Sequence, residues 1–234
     1  MVMAIHLLFD VLAWLVAFLT RYGIGKVLAL QCSPIPPELR TPYALVLLLG
    51  AGNGAVLCGS INLWLQFPNA LGHSVLGAII GGILTVELFK WRFKIRTSTG
   101  AIWAIPIAVG IAIGRLGCFF AGLEDYTYGV PTALPWGVDL GDDILRHPVQ
   151  LYESLAMLVF IGLALWALCY KRRDFLRAGF YCFALYYGLQ RFLWEFLKPY
   201  VTLAFGLNLF QYLCIGLIIY ALLMLRKSYV RSRS

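Results

Sequence analysis

The sequence predicts an all-α membrane protein with seven transmembrane helices, and three observations support this fold class. Hydrophobic residues make up 61% of the 234 positions and charged residues 13%, with a mean hydropathy of +0.81. A soluble domain carries about 25% charged residues. Apolar runs recur along the whole chain, and a helix needs roughly 20 residues to cross a bilayer. These runs lack the alternation of barrel strands, so helices are expected.

The predicted spans leave no room for a separate soluble domain. They cover residues 4–19, 43–65, 74–89, 101–120, 151–170, 178–197 and 206–225. We therefore expect a single transmembrane domain over residues 1–234. The first run contains Asp10 and has no Lys or Arg ahead of it, which favours a span over a cleaved signal peptide.

Glycines four residues apart recur in three of the spans. Such spacing lets helix backbones approach closely, so we expect these residues to pack helices rather than to bind a ligand. The pairs are Gly50 with Gly54, Gly77 with Gly81, and Gly110 with Gly114.

The basic residues predict how the spans are oriented. Fifteen of the 19 Lys and Arg residues follow the first, third, fifth or seventh span. Arg146 and Lys198 lie in the opposite loops, and Arg115 and Arg191 lie inside spans. By the positive-inside rule the amino terminus is outside, the carboxyl terminus is cytoplasmic, and the acidic loop 122–148 faces out. This clustering explains the net charge of +8 without a nucleic-acid partner.

No metal or cofactor is predicted from sequence motifs. The six cysteines are scattered without a CxxC pair, which suggests neither a zinc site nor a disulfide framework. There is also no P-loop and no Gly-rich dinucleotide loop.

Polar residues from distant parts of the chain converge at the outer level of the predicted membrane. An ionised group inside a span is costly unless it is paired or hydrated, so a functional site is the first hypothesis for such residues. The set comprises His73, Arg115, His147, Gln150, Tyr152, Glu153, Arg191 and Glu195, together with Tyr187 on the stripe of Arg191 and Glu195.

Each of these residues also has a structural interpretation. Arg115 could reach the interface or pair with a carboxylate, and Arg191 could pair with Glu195 one helical turn away. His147 precedes Pro148 at a helix start, and His73 begins the third span, where a hydrated histidine is ordinary. These interpretations remain open alongside the functional one.

Two arginines at the outer leaflet suit a phospholipid head group. The planar guanidinium matches phosphate oxygens and keeps its charge when buried. A nearby histidine or carboxylate could remove a proton from a nucleophile while the arginines stabilise a departing phosphate. Group transfer from a lipid follows as a hypothesis.

Three sequence motifs resemble those of the prolipoprotein diacylglyceryl transferase family. They are Gly114-Arg115-Leu116-Gly117 with Gly122 downstream, His147-Pro148-Val149-Gln150-Leu151-Tyr152-Glu153, and the segment from Tyr187 to Phe196. The resemblance implies catalytic roles for Arg115, Arg191, His147 and Glu195. It implies substrate binding by His73, Gly117, Gly122, Gln150, Tyr152, Glu153 and Tyr187.

The resemblance further implies a reaction and its partners. The diacylglyceryl group of phosphatidylglycerol, or of another phospholipid, would move to the lipobox cysteine of a prolipoprotein signal peptide. The site would lie at the outer leaflet of the bacterial inner (cytoplasmic) membrane, among membrane lipids. Cys118 stands where the family usually has Asn, and the family's His-Gly-Gly is His73-Ser74-Val75 here. A paralogue with another lipid or acceptor, a transporter and a lipid-binding subunit remain as alternatives.

Overall fold

The computed structural model of the chain describes residues 2–27, 35–67 and 70–230, and these residues are mostly helical. Each predicted span corresponds to a helix, although the ends shift by several residues. The helices of the described residues are α1 (Val2–Val27), α2 (Arg40–Trp64), α3 (Val75–Arg92), α4 (Ala104–Ala121), α5 (Val149–Tyr170), α6 (Arg172–Trp194) and α7 (Leu209–Val230). Three residues counted above lie outside the described residues. They are Cys32, one of the six cysteines, and Arg231 and Arg233, two of the fifteen basic residues that follow odd-numbered spans.

Five helical segments of the described chain are long and apolar enough to cross a membrane. They are Ile5–Lys26, Pro37–Trp64, Ala101–Asp125, Val149–Tyr170 and Leu209–Val230. The shorter α3 carries Glu87, Lys90 and Arg92, and α6 begins with several charged residues, so neither helix is among the five. A membrane protein with several spans is therefore supported, and the count of seven remains a prediction.

The helices fall into two compact units. The first contains α1, α4, α5, α6 and the part of α7 from Ile218 onward. In it α4 packs against α1 and α5, and α5 packs against α6. The second unit contains α2, α3 and the part of α7 up to Leu217, with α2 and α3 packed together.

Glycines allow the close approach of α2 and α3. A Cβ atom placed on Gly54 would overlap the carbonyl oxygen of Gly77, and one on Gly81 would overlap the carbonyl oxygen of Gly50. The packing role predicted for these two pairs is confirmed. The third pair differs, because a Cβ atom on Gly114 would meet no atom within 4 Å.

Replacing Gly54 by alanine is expected to lower the free energy of unfolding by about 1–3 kcal/mol, because the added methyl group forces two backbones apart. Gly52→Ala is the matched control, since a Cβ atom there meets nothing within 4 Å. Reversible unfolding in mixed micelles measures both variants. Equal stability of the two would contradict a tight α2–α3 contact.

A small hairpin in the loop 122–148 was not predicted. Strands β1 (Val138–Asp139) and β2 (Leu145–Arg146) pair antiparallel. The Asp139 carboxylate accepts hydrogen bonds from the backbone N–H groups of Gly141 at 2.8 Å and Asp142 at 3.0 Å. These bonds hold the pKa of Asp139 below its ordinary value. The acidic side chains of this loop thus help to form a defined turn.

Candidate active site

A cluster of buried charged side chains lies in the first unit where α4 ends, α5 begins and α6 ends. The connection from α4 to α5 and the end of α6 meet at one level because these helices run alternately up and down. The cluster comprises Arg115, Glu153, Arg191, Glu195 and Lys198, which are between 1% and 7% exposed.

Glu153 is the central carboxylate of this cluster. Its Oε2 atom pairs with the Nε group of Arg115. Its Oε1 atom lies 2.5 Å from Nη1 of Arg191 and 2.7 Å from Nζ of Lys198. The family resemblance implied substrate binding for Glu153, whereas the structure places it among three cations in the interior.

Glu195 is the second carboxylate and completes the cluster. Its Oε1 atom lies 2.7 Å from Nη2 of Arg191 and 3.6 Å from Nζ of Lys198. Glu195 opens a short 3-10 helix, Glu195–Leu197, that turns Lys198 back toward these groups. The pairing of Arg191 with Glu195 was expected from their spacing, and Arg191 also reaches Glu153.

The cluster contains one more cation than carboxylate. Arg115, Arg191 and Lys198 face two carboxylates, and this surplus suits an anionic ligand. Lys198 lies just after the sixth predicted span. Its burial and the nearby Arg191 guanidinium lower the pKa of its amine, while Glu153 and Glu195 oppose this shift.

An aromatic group lies beside this cluster at the start of α5. The Tyr152 hydroxyl accepts a hydrogen bond from Nε1 of Trp136 at 2.8 Å, and its ring lies 5.3 Å from that of Trp194. Nδ1 of His147 is 3.4 Å from the same hydroxyl. Tyr152 therefore connects His147 to the loop and to the end of α6, and the catalytic role of His147 remains a prediction.

Gln150 and Tyr187 are fully buried in the first unit, each 1% exposed. Gln150 precedes Glu153 by three residues and so lies on the same face of α5. Within the residues that the structure describes, the side-chain NH2 group of Gln150 has no hydrogen-bond acceptor. Tyr187 stacks on Phe183 with ring centroids 5.8 Å apart. Gln150 is thus the better placed of the two to donate to a ligand.

The two glycines predicted to bind substrate have clear packing roles. A Cβ atom on Gly117 would lie 2.5 Å from Cβ of Phe9, so glycine lets α1 approach α4. Gly122 has φ +66° and ends α4 in a conformation that other residues rarely adopt. Their contribution to substrate binding therefore remains a prediction.

His73 lies in the second unit. It is exposed and directly precedes Ser74, whose side chain accepts a hydrogen bond from the Gly77 N–H group at the start of α3. This placement agrees with the ordinary helix-start interpretation. Its role in substrate binding remains a prediction.

Sequence reasoning missed two residues that the structure brings to this region. Lys198 follows Glu195 by three residues and Arg191 by seven, a helical spacing that could have identified it. His6 lies near Asp125, which is 119 residues away in the chain. Only its spacing of four from Asp10 was visible in the sequence.

Comparison with known proteins gives consistent matches over this region. The model of a family described as prolipoprotein diacylglyceryl transferase matches residues 43–226. The relatives named phosphatidylglycerol--prolipoprotein diacylglyceryl transferase include three from different bacterial genera. The Polynucleobacter asymbioticus protein is 38% identical over 164 residues, 67% of this chain and 61% of the relative. This alignment spans less than two thirds of that relative.

The other two relatives align over a longer part of the chain. The protein from Nitratidesulfovibrio vulgaris is 32% identical over 234 residues, 92% of this chain and 88% of the relative. The one from Ehrlichia ruminantium is 30% identical over 185 residues, 73% of this chain and 69% of the relative. The matched family region includes the whole buried cluster.

Proposed function

Because the chain belongs to the prolipoprotein diacylglyceryl transferase family, an enzyme family, we propose that it transfers diacylglyceryl from phosphatidylglycerol to the cysteine thiol of a prolipoprotein lipobox. The observation that supports this reaction best is the buried cluster of Arg115, Arg191 and Lys198 around two carboxylates. Its surplus positive charge matches a lipid phosphate.

The charge of the cluster fits the chemistry of the transfer. The acceptor thiol loses its proton, and the thiolate attacks the glyceryl carbon that carries the phosphate. A carbon–sulfur bond forms as the carbon–oxygen bond breaks, and glycerol phosphate leaves. Its phosphate gains one negative charge in this step, and buried cations stabilise such a charge more strongly than water does.

Each residue of the site has a part in this proposal. Arg115 and Arg191 hold the phosphate, Glu153 and Glu195 position the two guanidiniums, and Lys198 adds positive charge. The Gln150 amide donates to the glycerol head group. His147 receives the thiol proton beside Tyr152. Gly117, Gly122 and Tyr187 support the site from their positions in α4, at its end and in α6.

We also propose seven spans, an outside amino terminus and a site at the outer leaflet of the cytoplasmic membrane. The support is the distribution of the basic residues, since charge bias sets the orientation of short loops. Substrate would then enter the site laterally from the bilayer, which is where phosphatidylglycerol and a membrane-inserted signal peptide are found.

Labelling of introduced cysteines tests this orientation. In a background without native cysteines, Asp143→Cys in the loop 122–148 should react with an impermeant maleimide in cells whose outer membrane is permeabilised. Arg173→Cys, in the first turn of α6, should react only after lysis. The opposite pattern would overturn the orientation without affecting the proposed chemistry.

The function is tested by incubating the purified full-length chain with phosphatidylglycerol and a lipobox peptide. Mass spectrometry should show the peptide with an added diacylglyceryl group on cysteine, and a Cys→Ser peptide should remain unmodified. Consumption of phosphatidylglycerol with an unmodified peptide would favour a paralogue with another acceptor. Cys118, in place of the family's usual Asn, is the residue that favours this second candidate. No turnover of phosphatidylglycerol would contradict both.

A further inference from the structure

Three potential metal ligands from distant segments meet in the first unit. His6 lies on α1, Cys118 on α4, and Asp125 ends the 3-10 helix that follows α4. Nε2 of His6 is 3.0 Å from Oδ1 of Asp125 and 3.8 Å from Sγ of Cys118. All three ligand atoms lie within 4.8 Å of one another.

Hydrogen bonds from surrounding residues orient two of these ligands. Nδ1 of His6 is 2.9 Å from the Asp10 carboxylate, which leaves Nε2 directed at Cys118 and Asp125. The Thr127 hydroxyl donates to the other oxygen of Asp125. Metal-binding histidines almost always bond a carboxylate, carbonyl or water through their second nitrogen, and metal-binding carboxylates are hydrogen-bonded as well.

The spacing suits a tetrahedral zinc ion. Zinc bonds of about 2.0–2.1 Å to nitrogen and about 2.3 Å to sulfur place neighbouring ligand atoms about 3.3–3.6 Å apart. The two separations from Nε2 of His6, 3.0 and 3.8 Å, lie on either side of this range, and the third, between Cys118 and Asp125, is within 4.8 Å. Side-chain shifts would therefore bring the three atoms to the distances that zinc requires. A thiolate and a carboxylate also supply two negative charges for a divalent cation.

The alternative is a charged His6 that only bridges Asp10 and Asp125. Such a bridge explains the contacts of His6 with the two carboxylates but not its contact with Cys118. The thiol also lies 3.8 Å from Nη1 of Arg115, so that it is held at the edge of the cluster by a neighbouring side chain. Nitrogen, sulfur and carboxylate donors together are typical of zinc rather than of magnesium or calcium.

We propose that His6, Cys118 and Asp125 form a zinc site with three protein ligands and a fourth position open to water or another ligand. This arrangement is found in catalytic rather than structural zinc sites. The absence of a CxxC pair, from which the sequence predicted no zinc site, does not oppose it because these ligands come from three separate elements. The proposal is independent of the transfer reaction.

Cobalt binding tests the site without any assay of activity. The tag-free full-length chain in detergent is treated with a chelator and titrated with Co²⁺. We expect one equivalent to bind, with a thiolate-to-cobalt charge-transfer band in the near ultraviolet and the visible bands of four-coordinate Co²⁺. Zn²⁺ should remove both signals. A wild-type protein that gives no thiolate band would overturn the proposal.

Variants show whether the signal comes from this site. Cys118→Ser should abolish the charge-transfer band, and Asp10→Asn should weaken metal affinity by about 10–100-fold. Cys182→Ser, at an exposed cysteine of α6, is the matched control and should bind as the wild type does. A band that survives in Cys118→Ser overturns the assignment. If Cys118→Ser fails to fold, a chain with Cys118 as its only cysteine decides, since it must retain the band.

Discussion

Replacement of Arg191 by lysine is expected to lower kcat/KM for phosphatidylglycerol by about 10²–10³-fold, the usual effect of losing one donor that stabilises developing charge. Arg191 uses Nη1 to reach Glu153 at 2.5 Å and Nη2 to reach Glu195 at 2.7 Å, so two carboxylates fix its plane. Lysine keeps the positive charge but lacks the planar guanidinium, whose two terminal nitrogens can bond two acceptors at once. Initial rates of thioether formation at several lipid concentrations measure the change.

The positive charge retained in Arg191→Lys should keep the protein folded, which separates catalysis from stability. Arg115→Lys should show a loss of the same order, because Arg115 pairs with the other oxygen of Glu153. Arg173→Lys, at an exposed position near the start of α6, is the matched control and should retain wild-type rates. If both buried variants stay within about threefold of the wild type, the arginines do not stabilise the leaving phosphate.

Replacement of Glu153 by glutamine is expected to destabilise the protein by about 3–5 kcal/mol, because it leaves buried cations without their shared counter-charge. Glu153 contacts Arg115, Arg191 and Lys198, and it is 1% exposed. Glutamine preserves the shape of the side chain, so the loss reports charge rather than packing. Reversible unfolding in mixed micelles gives the free energy of unfolding directly.

Two further variants define the origin of that loss. Glu124→Gln removes an exposed carboxylate and should change the free energy of unfolding by less than about 0.5 kcal/mol. Combining Glu153→Gln with Lys198→Met removes one of the uncompensated cations and should recover part of the lost stability. A Glu153→Gln protein as stable as the wild type would mean that Glu153 is not the counter-charge of the cluster.

The helices were predictable because each apolar run is long enough to satisfy its backbone hydrogen bonds internally. Their ends were less predictable, as α1 extends through Arg21 to Val27, past the predicted end at residue 19. The hairpin of β1 and β2 was missed because each strand has only two residues, which is too short to show the alternation of polar and apolar residues typical of a strand. Glycine spacing predicted correctly that the glycines of α2 and α3 pack helices, but it could not show which helices meet or that Gly114 faces open space.

The candidate site was partly predictable, because costly buried charges are conspicuous in an apolar sequence. Arg115, Glu153, Arg191 and Glu195 were all in the predicted polar set, and the structure brings them together. Lys198 was assigned to a loop, and its burial was therefore missed. The 3-10 helix Glu195–Leu197 turns the chain so that Lys198 lies in the interior, and the residues around it in the sequence do not indicate this turn. Contacts such as that of His6 with Asp125 depend on tertiary packing across 119 residues, which no local pattern encodes.

In the proposed reaction, the buried cations stabilise a phosphate that leaves as the thioether forms. The most direct measurement follows both products of one reaction, with phosphatidylglycerol labelled in its head group and a lipobox peptide as acceptor. We expect glycerol phosphate and diacylglyceryl peptide to form in a one-to-one ratio, and Arg191→Lys to reduce both together. Release of glycerol phosphate without the thioether, or thioether formation that Arg191→Lys leaves unchanged, would contradict it.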